Sequence, residues 1–303
     1  LGRLTATLVE VGRPIDEMVS GVVFEDAAVL QSGPQLRFRD NYFTLNDRPL
    51  FLFGSDTYAL IYKAACENPW TWWQEIAAAR DVGMNLYENL QYQNPGHRME
   101  EDDWRAFRAV AQLTQKAGQV FMPGMLIGQN VAIGDAALEE EDRLCREYAS
   151  HLGSTPGLLW YINGDYQLDP RRRPEEVKSL WNRWLKAEYG TTQRLRASWG
   201  DAAVRGELGS LDYPPPNSGR WDDAAAVDRS RFLVGLMWRW NEAHVAAVRK
   251  HDPAHPITSE YYSSPFGGMD LLLSIDGQEV SNIGFFDRPV DREEQVHPAE
   301  RRR

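Results

Sequence analysis

Short apolar segments alternate with helical patterns from residue 51 onwards, and this alternation constrains the fold more than any other feature of the chain. The segments are rich in Leu, Ile, Val, Phe and Tyr, as expected of strands that are buried on both faces. They are FLFGSD (51–56), GMNLYENL (83–90), QVFMPGML (119–126), GLLWYI (157–162), PITSEYY (256–262) and VSNIGFF (280–286). Repeated strand–helix units of this kind predict an α/β fold with a parallel sheet and outer helices, here about six units of a (β/α)8 TIM-type barrel.

Helix start and stop signals lie between these segments. Asn68 and Pro69 supply an N-cap and a first-turn proline for the first helix, and Gly118 ends the second. Pro174 opens a helix after the fourth strand, and a long helix is predicted from about 222 to 250. The order of strands and helices is therefore the one that a barrel of parallel strands requires.

The first residues predict strands of another kind. Apolar and polar residues alternate from Leu4 to Leu8, and a turn at 12–14 leads to a second short apolar run. This pattern is typical of a pair of strands from a β-sandwich, and two strands alone are marginal in water. We assign residues 1–37 to the last strands of an N-terminal β-sandwich domain and residues 38–303 to the barrel.

Both ends of the chain suggest truncation. The sequence opens without Met, ends in a charged stretch, and offers six strands where a closed barrel has eight. We expect missing sandwich strands upstream and missing barrel strands downstream. The localisation therefore stays open among secreted, periplasmic and cytoplasmic.

Composition and motifs argue against several classes of function. The net charge of −11 disfavours nucleic-acid binding, and no apolar run is long enough for a membrane helix. Cys66 and Cys145, the only cysteines, suit neither a disulfide framework nor a metal site. The pair Gly267-Gly268 lacks the third glycine of a dinucleotide-binding loop. We therefore expect no metal and no cofactor.

Polar residues stand where the predicted strands end. They are Asp56, Glu88, Asn89, Asp165, Glu260 and Asp287. A carboxylate in a cleft costs desolvation energy unless it is paired or used, although any single one can also cap a loop. Since barrel enzymes keep their active residues at this edge of the sheet, the pattern favours a catalytic site there.

Three stretches of the sequence resemble the (β/α)8 glycoside hydrolases of clan A, particularly the family 42 β-galactosidases. They are FTLNDRPLFLFGSDTY (43–58), WTWWQEIAAARDVGMN (70–85) and WNRWLKAEYGTTQRLRASWG (181–200). The resemblance covers roughly residues 40 to 290 and departs from the family pattern at several positions. Asp47 replaces a Gly, Glu188 a basic residue, Arg196 an Asn and Ser198 an Ala.

The resemblance implies a general acid/base at the end of the fourth strand, where the family has W-x-x-x-N-E-Y. Trp160 matches the Trp, Gly164 falls on the Asn and Asp165 falls on the catalytic Glu. Asp165 is one methylene shorter than Glu, which sets its carboxyl back by about 1.5 Å. Gly164 cannot hold a sugar hydroxyl, whereas Asn163 could do so if a bulge turned it round.

The nucleophile implied by the resemblance is a Glu at the end of the seventh strand. With six strands counted, we expect it beyond Arg303, and the alternative within the chain is Glu260, which Tyr261 follows. Further sugar contacts are expected from the strand ends and from aromatic rings in the cleft. These candidates are Asp56, Tyr87, Glu88, Asn89, Trp160, Asn163 and Tyr261.

The sequence thus predicts a β-galactosidase-like glycosidase that acts on β-linked oligo- or polysaccharides by a retaining mechanism with two carboxylates. Family 42 proteins are often trimers, so the resemblance also implies a homo-oligomer. A second hypothesis is a catalytically lapsed carbohydrate-binding or scaffold protein on the same barrel. The replacements at Gly164 and Asp165 are changes that such a lapsed site could carry.

Overall fold

The computed structural model describes residues 1–39, 42–57, 68–89, 99–126, 132–162, 173–213, 223–259 and 280–282. Its strands are β1 (Gly2–Glu10), β2 (Arg13–Val22), β3 (Leu36–Arg39), β4 (Tyr42–Leu45), β5 (Arg48–Leu50), β6 (Gly54–Thr57), β7 (Leu86–Asn89), β8 (Val120–Pro123), β9 (Trp160–Tyr161), β10 (Ile257–Ser259) and β11 (Val280–Asn282). Its helices are α1 (Ala27–Ser32), α2 (Pro69–Asp81), α3 (Glu101–Ala117), α4 (Asp135–Leu152), α5 (Pro174–Tyr189), α6 (Thr192–Trp199) and α7 (Ala224–Arg249).

Six parallel strands, β6 to β11, lie side by side in the order in which the chain makes them. β6, β7 and β8 form one hydrogen-bonded set, and β9, β10 and β11 form another. Parallel bridges from Phe121 to Leu158 and from Gly124 to Tyr161 join the two sets. The predicted order of six parallel strands with intervening helices is therefore confirmed.

Alternation along these strands builds two apolar layers. Leu86, Val120, Met122, Leu159 and Tyr161 pack together on the inner face of the sheet. Their neighbours in the sequence pack on the outer face, between the sheet and helices α2, α3, α4 and α7; they include Tyr87, Phe121, Leu158, Trp160 and Ile257. Burial on both faces explains why these strands are apolar without interruption in the sequence.

A small antiparallel sheet, β3–β4–β5, packs against the inner layer through Leu36, Phe43, Leu45 and Leu50. Its tight turn places Leu45 opposite Arg48 and leaves Asn46 and Asp47 as the loop, with φ angles of 50° and 63°. Both angles lie in the left-handed region, which Asn and Asp tolerate better than other residues with a side chain. Asp47, which replaces a Gly of the family pattern, thus fills a position that favours Gly.

The first two strands form an antiparallel hairpin that docks on the start of α2. A Cβ atom added at Gly21 would lie 2.5 Å from the backbone nitrogen of Trp70, so the two backbones are in close contact. Asn68 accepts a hydrogen bond from that nitrogen at 3.0 Å and donates one to the Val19 carbonyl. Two paired strands were predicted here and are present, but the second spans Arg13–Val22 and ends where the predicted apolar run at 22–24 begins. Within the described residues β1 and β2 pair only with each other. Their membership of a β-sandwich stays a prediction.

Helices α5 and α6 carry the sequence stretch that most resembles family 42, and they pack on the first half of α7. The apolar core between α5, α6 and α7 is made of Val177, Trp181, Leu185, Leu195, Phe232 and Leu233. Glu188, which replaces a basic residue of the family pattern, pairs with Arg231 at 2.6 Å. Arg196, which replaces an Asn, pairs with Glu207 at 3.3 Å. Both replacing side chains thus form ion pairs in this chain.

None of the helices in the described ranges is long and apolar enough to span a membrane.

Candidate active site

The described site lies at the end of β7, where Glu88 and Asn89 are each 1% exposed. Glu88 follows Leu86 at the strand period of two and therefore belongs to the inner face. The backbone register pairs Asp56 with Glu88 on one side and Met122 with Glu88 on the other. Two of the predicted strand-end residues, Asp56 and Glu88, are thus neighbours in the register of β6 and β7, while Asn89 follows Glu88 on the opposite face of β7.

A buried carboxylate on the inner face is chemically informative. Burial of an ionised carboxylate costs on the order of several kcal/mol in lost hydration, unless hydrogen-bonding partners replace the water. Glu88 lies in the middle of three hydrogen-bonded strands, where an apolar residue would pack without this penalty. Glu88 is thus a polar residue at an inner-face position where packing alone would favour an apolar side chain.

Tyr87 and Trp160, predicted to contact sugar, lie on the other face of the sheet. Tyr87 is 2% exposed and Trp160 is fully buried, and both pack in the layer between the sheet and the helices. The indole nitrogen of Trp160 donates a hydrogen bond of 2.7 Å to Asp252, which follows α7. The structure does not bring these two rings together with Glu88.

Four predicted site residues lie outside the described part of the chain. They are Asn163, Asp165, Glu260 and Tyr261. β9 ends at Tyr161 and β10 at Ser259, and the described residues stop at Ile162 and Ser259. Tyr161 and Thr258 are paired in register at the ends of β9 and β10, and both are fully buried.

The sequence analysis missed a buried network around Asp252. Its Oδ2 atom accepts from Trp160 and contacts Nδ1 of His255 at 2.6 Å, and its Oδ1 atom accepts from the backbone nitrogens of Ala254 and His255 at 3.0 and 3.1 Å. Burial opposes the charge, but the contacts with His255 and Trp160 outweigh it and lower the pKa of Asp252 to about 2. The Asp-Pro-x-His sequence after a helix was the available signal, because Asp commonly bonds the backbone two or three residues on.

A second buried network joins α4 to α7. Glu141 accepts from the indole nitrogen of Trp240 at 2.6 Å and contacts Nε2 of His244 at 3.1 Å, while Asp142 lies 3.1 Å from the other ring nitrogen of His244. Burial disfavours the charged imidazole, but the two carboxylates outweigh it and raise the pKa of His244. The network connects two helices to each other and therefore has a structural character.

No group of three or more His, Cys, Asp or Glu side chains within the described ranges is arranged to hold a metal ion.

Comparison with known proteins places the chain in a family. The glycoside hydrolase family 42 model, described as beta-galactosidase, matches residues 135–296, more than half of the sequence. Beta-galactosidase Bga of Halorubrum lacusprofundi is 23% identical over 133 residues, which are 42% of this chain and 19% of that protein. Beta-galactosidase LacZ of Lactobacillus acidophilus is 22% identical over 135 residues, which are 41% of this chain and 20% of that protein.

Solved structures share the fold at low sequence identity. The polyextremophilic beta-galactosidase from Halorubrum lacusprofundi has a TM-score of 0.59 at 15% identity and covers 81% of this chain, which spans 43% of that one. The beta-galactosidase from Bacillus circulans sp. alkalophilus has a TM-score of 0.56 at 14% identity, with coverages of 78% and 41%. The chain therefore spans less than half the length of these relatives. Because the family model covers more than half of its sequence, the chain belongs to glycoside hydrolase family 42.

Proposed function

We propose that this protein is a β-glycosidase, with β-galactosides as the first substrates to test, and that it retains the configuration of the anomeric carbon. The observation that carries the proposal is the family match over residues 135–296, which includes the ends of both β9 and β10. The substrate class is taken from the relatives, all described as beta-galactosidases. We also propose that β6 to β11 belong to a closed (β/α)8 barrel, which would need two further strands.

Asp165 is the proposed general acid/base. Leu159 and Tyr161 lie on the inner face, and the strand period assigns Asn163 and Asp165 to that same face if the strand continues. In the first step Asp165 gives its proton to the glycosidic oxygen as the bond from that oxygen to the anomeric carbon breaks. In the second step it takes a proton from water, which attacks the same carbon and releases the sugar.

The nucleophile is a second carboxylate about 5–5.5 Å from the first in retaining glycosidases. It forms a covalent bond to the anomeric carbon in the first step and leaves in the second. Glu260 is the candidate within the chain. It stands two residues after the buried Thr258, and residues two apart on a strand point to the same face. A Glu on a seventh strand, as the family resemblance implies, is the alternative that we favour.

The inner-face carboxylate at Glu88 is proposed to bind sugar hydroxyls together with Asp56, its register partner on β6. A carboxylate accepts hydrogen bonds from hydroxyl groups, so the pair suits a polyhydroxylated ligand. Asn89 has the strand parity of Tyr87 and is left out of this group. Buried charged acceptors form stronger hydrogen bonds than exposed neutral ones. Tyr87 and Trp160 have no place in this proposal, because both side chains lie on the outer face.

The experiment is hydrolysis of a panel of aryl α- and β-glycosides by the full-length protein and by two variants. Asp165→Asn removes the proposed acid/base, and Asp169→Asn is a matched change four residues away in the same segment. The proposal predicts turnover of β-glycosides only, reduced in Asp165→Asn, most for the poorest leaving groups, and kept in Asp169→Asn. Wild-type rates in Asp165→Asn would refute the assigned role.

A catalytically lapsed sugar-binding protein is the second candidate. The observation that favours it is the presence of Gly164 and Asp165 where the family pattern has Asn and Glu. Titration calorimetry with galactose and galactosides distinguishes the two. Binding that Glu88→Gln weakens, with no hydrolysis of any glycoside in the panel, would select the lapsed protein over the enzyme.

A further inference from the structure

The carboxylate of Asp252 connects two strands through buried hydrogen bonds. Trp160 in β9 donates to its Oδ2 atom at 2.7 Å, and His255, just before β10, contacts the same atom at 2.6 Å. Because an ionised carboxylate only accepts, the Nδ1 atom of His255 carries the proton in this contact. Asp252 is 1% exposed and His255 is 5% exposed, so these contacts are shielded from water.

Backbone contacts hold the same region together. The backbone nitrogen of Trp160 donates to the carbonyl of Pro256 at 2.9 Å, and Trp160 is paired in register with Ile257. Arg249, at the end of α7, donates to the carbonyls of Asp252 and His255, both at 2.9 Å. The turn between α7 and β10 is thus fixed on one side to the helix and on the other to β9.

We propose that Asp252 is a positioning residue that fixes β9 against β10 and thereby sets where the ends of these two strands lie. The proposal rests on the glycosidase function proposed above. Trp160 stands five residues before Asp165, and His255 stands five residues before Glu260. Asp252 therefore contacts both strands at the same number of residues before Asp165 and Glu260, the two carboxylates that the chain offers for catalysis.

Simple magnitudes show why such an anchor matters. Five residues of strand span about 16 Å, and a slip of one residue would move a strand end by about 3.3 Å. A misplacement of about 1 Å already costs on the order of 100-fold in rate where geometry is tight. Small losses of order at the anchor are therefore expected to lower the rate of the chemical step more than the affinity for substrate.

Packing alone does not account for the network. An apolar side chain at residue 252 would fill the space under Trp160 without the desolvation penalty of a carboxylate. Apolar packing has no direction, whereas two hydrogen bonds to one oxygen fix a single arrangement of β9, β10 and the turn. The polar network is thus suited to specifying one register.

Trp160→Phe tests the proposal, and Trp240→Phe is its matched control. Each change removes one buried indole N–H that donates to a carboxylate, at 2.7 Å to Asp252 and at 2.6 Å to Glu141. Trp160 lies on a strand and Trp240 lies on α7, and the two are similarly buried, at 0% and 2% exposure. Both variants are made in the full-length protein and compared in kcat, KM and the urea midpoint of unfolding.

The proposal predicts similar losses of stability in the two variants but different kinetics. In Trp160→Phe we expect kcat to fall about 10- to 100-fold with KM within about twofold, and in Trp240→Phe we expect both constants within about twofold of wild type. Equal falls of kcat in both variants would overturn the positioning role while leaving the glycosidase function intact. An inactive wild type would overturn the proposed function and the positioning role with it.

Amide hydrogen exchange measures the anchor without relying on activity. Trp160→Phe is expected to speed exchange in β9 and β10, and Trp240→Phe is expected to leave both strands at the wild-type rate. Unchanged protection of both strands in Trp160→Phe would overturn the anchor itself. If Trp160→Phe does not fold, Asp252→Asn, which keeps the shape of the side chain, is measured in the same way.

Discussion

The Nε2 atom of His244 in α7 lies 3.1 Å from Oε2 of Glu141 in α4. Asp142 lies at the same distance from the other nitrogen of the fully buried ring. The carboxylates outweigh the burial that disfavours charge and hold the pKa of His244 above 6.5 in the folded protein. In its charged form the ring therefore ties two helices together.

Stability should therefore depend on pH through His244. Since its folded pKa is raised, its contribution is complete below about pH 6.5 and is lost as pH rises through the folded value. We expect the free energy of unfolding, measured in urea, to fall from pH 6 to pH 9 in the wild type. His244→Gln should remove this part of the pH dependence, whereas His251→Gln, at an exposed position, should retain it.

Through Asp252 we expect the opposite pH dependence of stability, with a loss at acid pH. Its folded pKa of about 2 lies below the ordinary 3.8, so its contribution is present above about pH 4 and is lost as pH falls towards 2. A shift of this size corresponds to about 2 kcal/mol of stability. The difference in unfolding free energy between wild type and Asp252→Asn should shrink by about that amount between pH 5 and pH 2. Asp212→Asn, a change at an exposed position that leaves Asp252 in place, should keep the loss of stability that the wild type shows towards pH 2.

The turn at Asn46-Asp47 allows a test on stability alone. Asp47 is exposed and has a φ of 63°, a conformation that Gly adopts without a Cβ clash. Asp47→Gly should raise the free energy of unfolding by about 0.5 kcal/mol, and Asp47→Val should lower it by about 1–2 kcal/mol. Asp47→Asn should change it little because Asn tolerates the same angle. A stable Val variant would contradict the backbone geometry.

Cys145 should resist thiol reagents in the folded protein. The side chain is free and fully buried, and burial, then the charges of Asp142 and Glu141, raise the pKa of its thiol. In a Cys66→Ser variant, which leaves Cys145 as the only thiol, we expect no modification in buffer and complete modification in urea. Rapid labelling of the folded variant would show that α4 opens locally.

The strand and helix order could be read from the sequence because it depends on local patterns. Apolar strands, the Asn68-Pro69 start of α2 and the Gly118 end of α3 all carry signals within a few residues. These features were predicted and are present in the structure.

The placement of Trp160 could not be read in this way. In GLLWYI every residue is apolar or aromatic, so a period of two separates two faces but does not say which one lines the barrel. Its partner Asp252 lies 92 residues away in the sequence, and no local sequence pattern indicates a hydrogen bond over that separation. The sequence therefore suggested a cleft position for a side chain that lies under the helices.

The central claim is tested most directly by the dependence of hydrolysis on the leaving group. Galactosides with an activated dinitrophenyl group need little protonation of the leaving oxygen, whereas methyl β-galactoside needs a general acid. We predict that Asp165→Asn in the full-length protein lowers kcat/KM for the methyl galactoside by far more than for the activated one, measured side by side with wild type. Equal losses on both substrates, or none on either, would contradict Asp165 as the acid/base of a retaining glycosidase.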